Sequence, residues 1–144
     1  MGQSHQSIVI NAPKNHVWEK IRNFHDISWA PNVVSSLEVI GDIAGNQLGS
    51  KRLLNRAFHE TLLELNDELK TFAYQIEDGP SPISKDDVQN YIGRVTLTDA
   101  DEGKTLVEWS SEWENNDEEA YEFVHQIYLA LLDDMKNSLE YSHN

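Results

Sequence analysis

Over the last quarter of the chain, apolar residues recur in steps of three and four. They fall at Ala120, Phe123, Val124, Ile127, Leu131 and Met135, flanked by Tyr121, Tyr128, Leu132 and Leu139. That spacing gathers them on one face of an amphipathic helix, predicted over Asn116 to Tyr141. Glu118, Glu122, Gln126, Asp133, Lys136 and Glu140 lie opposite, and Leu129 interrupts the polar face without an evident reason. Asn116 and Glu119 have capping-box spacing. Asp117, Glu118 and Glu119 place acids at the positive end of the helix dipole. About two dozen residues at roughly 1.5 Å each make a rod of about 36 Å, long enough to cross a small sheet.

Upstream the period changes to two. Alternation or strand-forming composition marks Gln6–Ile10, Leu37–Ile40, Lys51–Leu54, His59–Leu65, Leu69–Glu77, Tyr91–Thr98 and Thr105–Trp113. Pro13 suits a first helical position, and Val17, Trp18 and Ile21 form the apolar side of a short helix over Pro13–Asn23. Asp26–Ala30 reads as a second short helical turn stopped by Pro31. Gly41–Gly49, Gly79–Pro82 with Ser84–Asp87, and Asp99–Gly103 are turn and loop signals. The order is a strand, two short helices, about six strands joined mostly by short turns, and a long helix. Short links favour antiparallel pairing, so the class is α+β. Tyr74, Tyr91, Trp109 and Trp113 take inward positions, and such aromatics suit the wall of a hole between sheet and helix as well as a solid core.

The length of 144 residues fits one domain, 1–144, with a substantial core. The chain has no cysteine, so disulfides and cysteine-based metal sites or nucleophiles are excluded. A formal net charge of −14 disfavours nucleic acid and anionic membrane surfaces as partners. No apolar run suffices for membrane insertion and no secretory signal opens the chain, so the expected compartment is the cytoplasm. His5, His16, His25, His59, His125 and His143 are scattered without ligand spacing, so no metal site is expected, and His125 is placed toward solvent. Gly41, Gly45 and Gly49 lack the Lys-Ser/Thr ending and following helix of a phosphate loop, and no cofactor is expected.

Arg52 and Glu60 are the charges of interest. They flank Arg56 symmetrically in the hairpin predicted around Asn55–Phe58, so they can face each other across it. From the residues alone an exposed cross-strand pair is the plainer reading. An inward pair would be desolvated and would mark a functional site. Glu60 would then serve as an acid or base if burial raised its pKa.

Several stretches together resemble a known family. They are Ile8-x-Ile10-x-Ala12-Pro13 with Val17-Trp18, Ile27-Ser28-Trp29-x-Pro31, Gly49-Ser50-x-Arg52, and the run from Glu60 to Glu68. Tyr74-x-Ile76-x-Asp78-Gly79-Pro80-x-Pro82, Asn90-Tyr91 and Val107-Glu108-Trp109 complete them. In order and spacing they resemble the START/Bet v 1-like superfamily (SRPBCC), in its bacterial polyketide cyclase/dehydrase and lipid-transport branch. The resemblance implies the helix-grip fold, a curved seven-stranded antiparallel sheet around a long C-terminal helix with a cavity between them. It implies that Arg52, Glu60 and Tyr91 point into that cavity. It also matches Gly79–Pro82 to a cavity-mouth loop. Plant abscisic-acid receptors of the superfamily carry a ligand-pairing Lys where this chain has Val34, so hormone sensing is not carried over.

The expected function is binding of a hydrophobic or aromatic small molecule, lipid or polyketide-like, as carrier or sensor. Trp29, Leu62, Tyr74, Tyr91, Trp109, Trp113, Phe123 and Tyr128 would supply apolar surface, and Arg52 and Glu60 would fix the polar end. The alternative is a cyclase or dehydratase with Glu60 as acid/base and Tyr91 steadying an enolate. A third class is a solid-cored domain whose acidic surface meets a protein partner. A cavity below roughly 300 Å³ would favour it. A homodimer is a possible assembly.

Overall fold

The alternating stretches become seven strands of one antiparallel sheet. The computed structural model describes residues 1–140. In chain order the elements are β1 (Gly2–Ile10), α1 (Lys14–Ile21), β2 (Leu37–Ile40), β3 (Lys51–Leu54), β4 (Phe58–Asn66), β5 (Thr71–Asp78), β6 (Gln89–Asp99), β7 (Thr105–Glu114) and α2 (Asp117–Leu139), with a 3-10 turn at Asp101–Gly103 before β7. The strand order is β1-β7-β6-β5-β4-β3-β2. Register shifts between His59 and Glu60, between Leu62 and Glu64, and between Gln89 and Ile92 bend the sheet. Its concave face holds α2. This is the α+β helix-grip architecture.

The period-two reading holds along β7, where Val107, Trp109, Ser111 and Trp113 are all buried. β1 starts four residues earlier than its apolar pattern suggests. Ser4 and Gln6 occupy inward positions, satisfied by Ser111 Oγ and by the Trp109 carbonyl. Polar residues there carry no apolar alternation for a sequence reading to detect.

Three expectations about helices need correction. Only one short helix follows β1. The Asp26–Ala30 segment is a set of turns, because the Asp26 carboxylate takes both the backbone N–H and the hydroxyl of Ser28 and so competes with helical bonding. Pro13 is the extended residue before α1 rather than its first helical residue. Asn116 does not form a capping box. It sits in the left-handed region with φ of 48°, and its side-chain amide donates to the Pro82 carbonyl instead. Tyr141 and His143 lie outside the described residues.

α2 buries Ala120, Val124, Tyr128, Leu131, Leu132, Met135 and Leu139, as the spacing requires. It also buries Asp134, whose position between Leu131 and Met135 put it on the apolar side. Phe123 and Ile127 are half-buried at the border, and Leu129 is exposed. His125 is half-buried rather than facing solvent, stacked on Tyr121 with Nδ1 3.0 Å from Gln6 Oε1.

Candidate functional site

β3 and β4 form a hairpin with Arg52 directly opposite Glu60. Asn55 and Arg56 take left-handed backbone conformations that turn the chain back tightly. Both charged side chains point inward and are only 6% exposed. Arg52 Nε and Nη2 donate to Glu60 Oε1 at 2.8 and 2.7 Å. Nη1 donates to the Phe24 carbonyl at 3.0 Å, and the guanidinium lies 3.8 Å over the Phe24 ring. The exposed reading of this pair is overturned. Burial pushes the Glu60 carboxyl above its ordinary range, against the opposing pull of Arg52.

A chain of hydroxyls runs through the core beside the pair. Trp109 Nε1 donates to Tyr74 Oη at 3.0 Å, Tyr74 Oη meets Tyr128 Oη at 2.9 Å, and Tyr128 Oη meets Tyr91 Oη at a very short distance. Tyr91 also bonds Ser111. An indole N–H can only donate, so Tyr74 Oη accepts from Trp109, while either hydroxyl can donate in each of the two Tyr–Tyr bonds. Burial raises the pKa of all three phenols, so they remain protonated across the physiological range. Gly93 permits this packing. It lies opposite Tyr74 in the register, and a Cβ there would overlap the Tyr74 ring.

Between the sheet and α2 lies a pocket. Its inner wall includes Arg52, Glu60, Tyr91, Trp109 and Tyr128, all expected from the sequence. Val124, Ile127 and Leu131 of α2, and Leu54, Phe58 and Ile76 of the sheet, add apolar surface. The outer wall comes from loops, with Ile27, Val33 and Val34 on one side, Ile83 after the Gly79–Pro82 loop, and Asn55 from the hairpin turn. Of these, Val34 stands where the resemblance put a ligand-pairing position, while Ile27 and Val33 were not read as pocket residues from the sequence. Ile27 and Val33 follow turn residues and had no periodic partner to reveal them.

Other expected residues are buried but do not wall the pocket. Leu62 and Tyr74 pack in the core, and Trp113 stacks on Tyr91 at 5.5 Å. Trp29 packs against Trp109 with a ring distance of 6.3 Å. Phe123 packs at the border of the core. The indole nitrogens of Trp29 and Trp113 are buried without a hydrogen-bond partner.

The free volume of the pocket is about 50 Å³. This corrects the expectation of a roomy hole, since usual small-molecule clefts begin at roughly 300 Å³. Tyr128 occupies part of the gap. It reaches from α2 into the gap, stacks on Trp109 at 4.9 Å, and its hydroxyl is tied to two strands. Among the described residues no cluster of His, Asp or Glu is arranged to hold a metal. No described helix is long and apolar enough to cross a membrane.

A bent seven-stranded sheet gripping a long helix is the architecture of a START/Bet v 1-like domain. The chain belongs to the polyketide cyclase/dehydrase and lipid transport family, whose model matches residues 1–140. It is similar to a solved protein from Nitrosospira multiformis, at 38% identity over 95% of both chains, with a TM-score of 0.92. It is also similar to XoxI from Bacillus cereus, at 25% identity over 96% of both chains, with a TM-score of 0.79. A protein from Bacillus thuringiensis matches at 25% identity, over 96% of this chain and 98% of that one, with a TM-score of 0.79. No curated protein matches the chain.

Proposed function

We propose that the protein binds a small hydrophobic or aromatic molecule between the sheet and α2, as a carrier or sensor. The observation that carries this reading is the Arg52–Glu60 pair, 6% exposed and walling an otherwise apolar pocket. For stability alone, well-packed apolar residues of similar volume serve as well or better. The pair is therefore best explained as the fixed polar end of a ligand site. With about 50 Å³ free, a lipid-sized guest enters only if the loop residues Val33, Val34 and Ile83 move outward. Thermal shift and native mass with mixtures of apolar and aromatic compounds test the reading. A complex that raises the melting temperature and is lost in Arg52→Met/Glu60→Leu supports it. Failure of every compound class to bind overturns it.

The raised pKa of Glu60 favours a second reading, acid/base catalysis of a cyclisation or dehydration. A Glu60→Gln variant that keeps ligand and loses product formation would select it. The small free volume favours a third, a nearly solid domain that meets a protein partner through its acidic surface. That reading gains if no small molecule binds.

A further inference from the structure

Asp134 is a carboxylate on the buried face of α2, 4% exposed. Burying such a group is costly unless it is bonded. Its hydrogen bonds all go to one short surface segment. Oδ2 accepts the backbone N–H groups of Asn32 and Val33 at 2.8 and 3.1 Å, and Oδ1 accepts the Asn32 side-chain amide at 2.8 Å. From the other side, Asn55 in the β3–β4 turn holds the same segment. Its Oδ1 accepts the Ser35 N–H at 2.7 Å and its Nδ2 donates to the Val33 carbonyl at 3.0 Å. The two anchors therefore stand on opposite banks of the pocket, one on the helix and one on the sheet.

The residues held between them are the pocket's outer cover. Val33 and Val34 line the free space on one side and are half-buried, while Pro31, Asn32 and Ser35 beside them are exposed. The segment belongs to no strand or helix. Side-chain anchors, with turn bonds to Ala30 and one bond from the Asn55 N–H to the Ser36 carbonyl, hold it in place.

We infer that residues 32–36 form a strap across the pocket mouth, and that Asp134 and Asn55, by pinning it, determine the largest ligand the site admits. Asp134 is a positioning residue, acting through Val33 and Val34, and Asn55 both pins the strap and lines the pocket itself. The inference rests on the pocket being the ligand site proposed above.

The test uses 4-alkylphenols with tails from methyl to hexyl, titrated by calorimetry against the 144-residue chain. Each methylene that finds room adds about fourfold in affinity, so the series climbs and then stops where the tail meets the strap. In the native protein the stop comes early. Asp134→Ala moves it later by at least one methylene, and Asp134→Asn, whose amide oxygen still accepts the strap N–H groups, returns it. Asn55→Gly is the milder variant, since glycine accepts the left-handed backbone at 55 and keeps the backbone bond to the Ser36 carbonyl while removing all the side-chain bonds to Val33, Ser35 and Ser36. It shifts the stop in the same direction and serves if Asp134→Ala does not fold. An unchanged stop in the folded variants, whatever their melting temperatures, overturns the strap and leaves the ligand site standing. Absence of binding to any protein in the set overturns both.

Discussion

Arg22–Asp67 and Arg52–Glu60 are the same chemical pairing in two different solvents. Arg22 on the C-terminal edge of α1 grips Asp67 with two hydrogen bonds of 2.8 and 3.0 Å, and Trp18 Nε1 adds a third. Asp67 is 57% exposed, and these bonds hold its carboxyl below the usual range. Arg52 gives Glu60 equally short bonds, yet the Glu60 carboxyl is pushed up, because loss of water outweighs the partner. Hydrogen-bond geometry alone therefore does not separate a surface clip from a candidate binding site. Desolvation does.

The sharpest way to break the comparison is to orphan one member of the buried pair. Glu60→Ala leaves a desolvated guanidinium and is expected to cost about 3–5 kcal/mol in urea unfolding. A loss under about 1 kcal/mol would mean that water reaches the pair and that the two sites are alike. Next comes Tyr128→Phe, which removes the hydroxyl linking Tyr74 to Tyr91 beside Glu60. It is expected to cost about 1–3 kcal/mol, the penalty for buried polar atoms left unpaired. A neutral result would show that water replaces the hydroxyl. Asp67→Asn at the surface pair should cost no more than about 1 kcal/mol.

The smallest effects separate the pairs by the sign of their pH dependence. Asp67 has a folded pKa below its ordinary 3.8, so its contribution is present above that value and is lost as pH falls through the folded pKa. Glu60 has a folded pKa above its ordinary 4.5, so the folded protein holds the proton more tightly. Its contribution to stability declines as pH rises from 4.5 through the folded value. Stability measured against pH for the native protein, Asp67→Asn and Glu60→Gln should give difference curves of opposite slope. Parallel curves would refute the desolvation of Glu60.

Much of this contrast was readable before any coordinates. Arg52 and Glu60 lie four residues on either side of Arg56, and a tight hairpin brings them face to face. Which face they share was not readable from local spacing. The resemblance to the family was needed to turn them inward. Arg22, Trp18 and Asp67 gave no signal, because their meeting depends on how α1 docks against the β4–β5 turn. Asp134 did leave a trace, sitting on the apolar side of a helix whose other charges face out. The pocket's size left none. It depends on the Tyr128 side-chain conformation and on where turn residues 32–36 are pinned, neither of which has a periodicity.

The pairing of β1 with β7 sets a schedule for synthesis. Gly2 lies opposite Trp113 and Ile10 opposite Thr105. β1 thus has no sheet partner until β7 has been made. At about 5–20 residues per second that wait lasts roughly 5–20 s. Throughout it, the apolar side chains of Ile8 and Ile10 have no β7 neighbour to cover them.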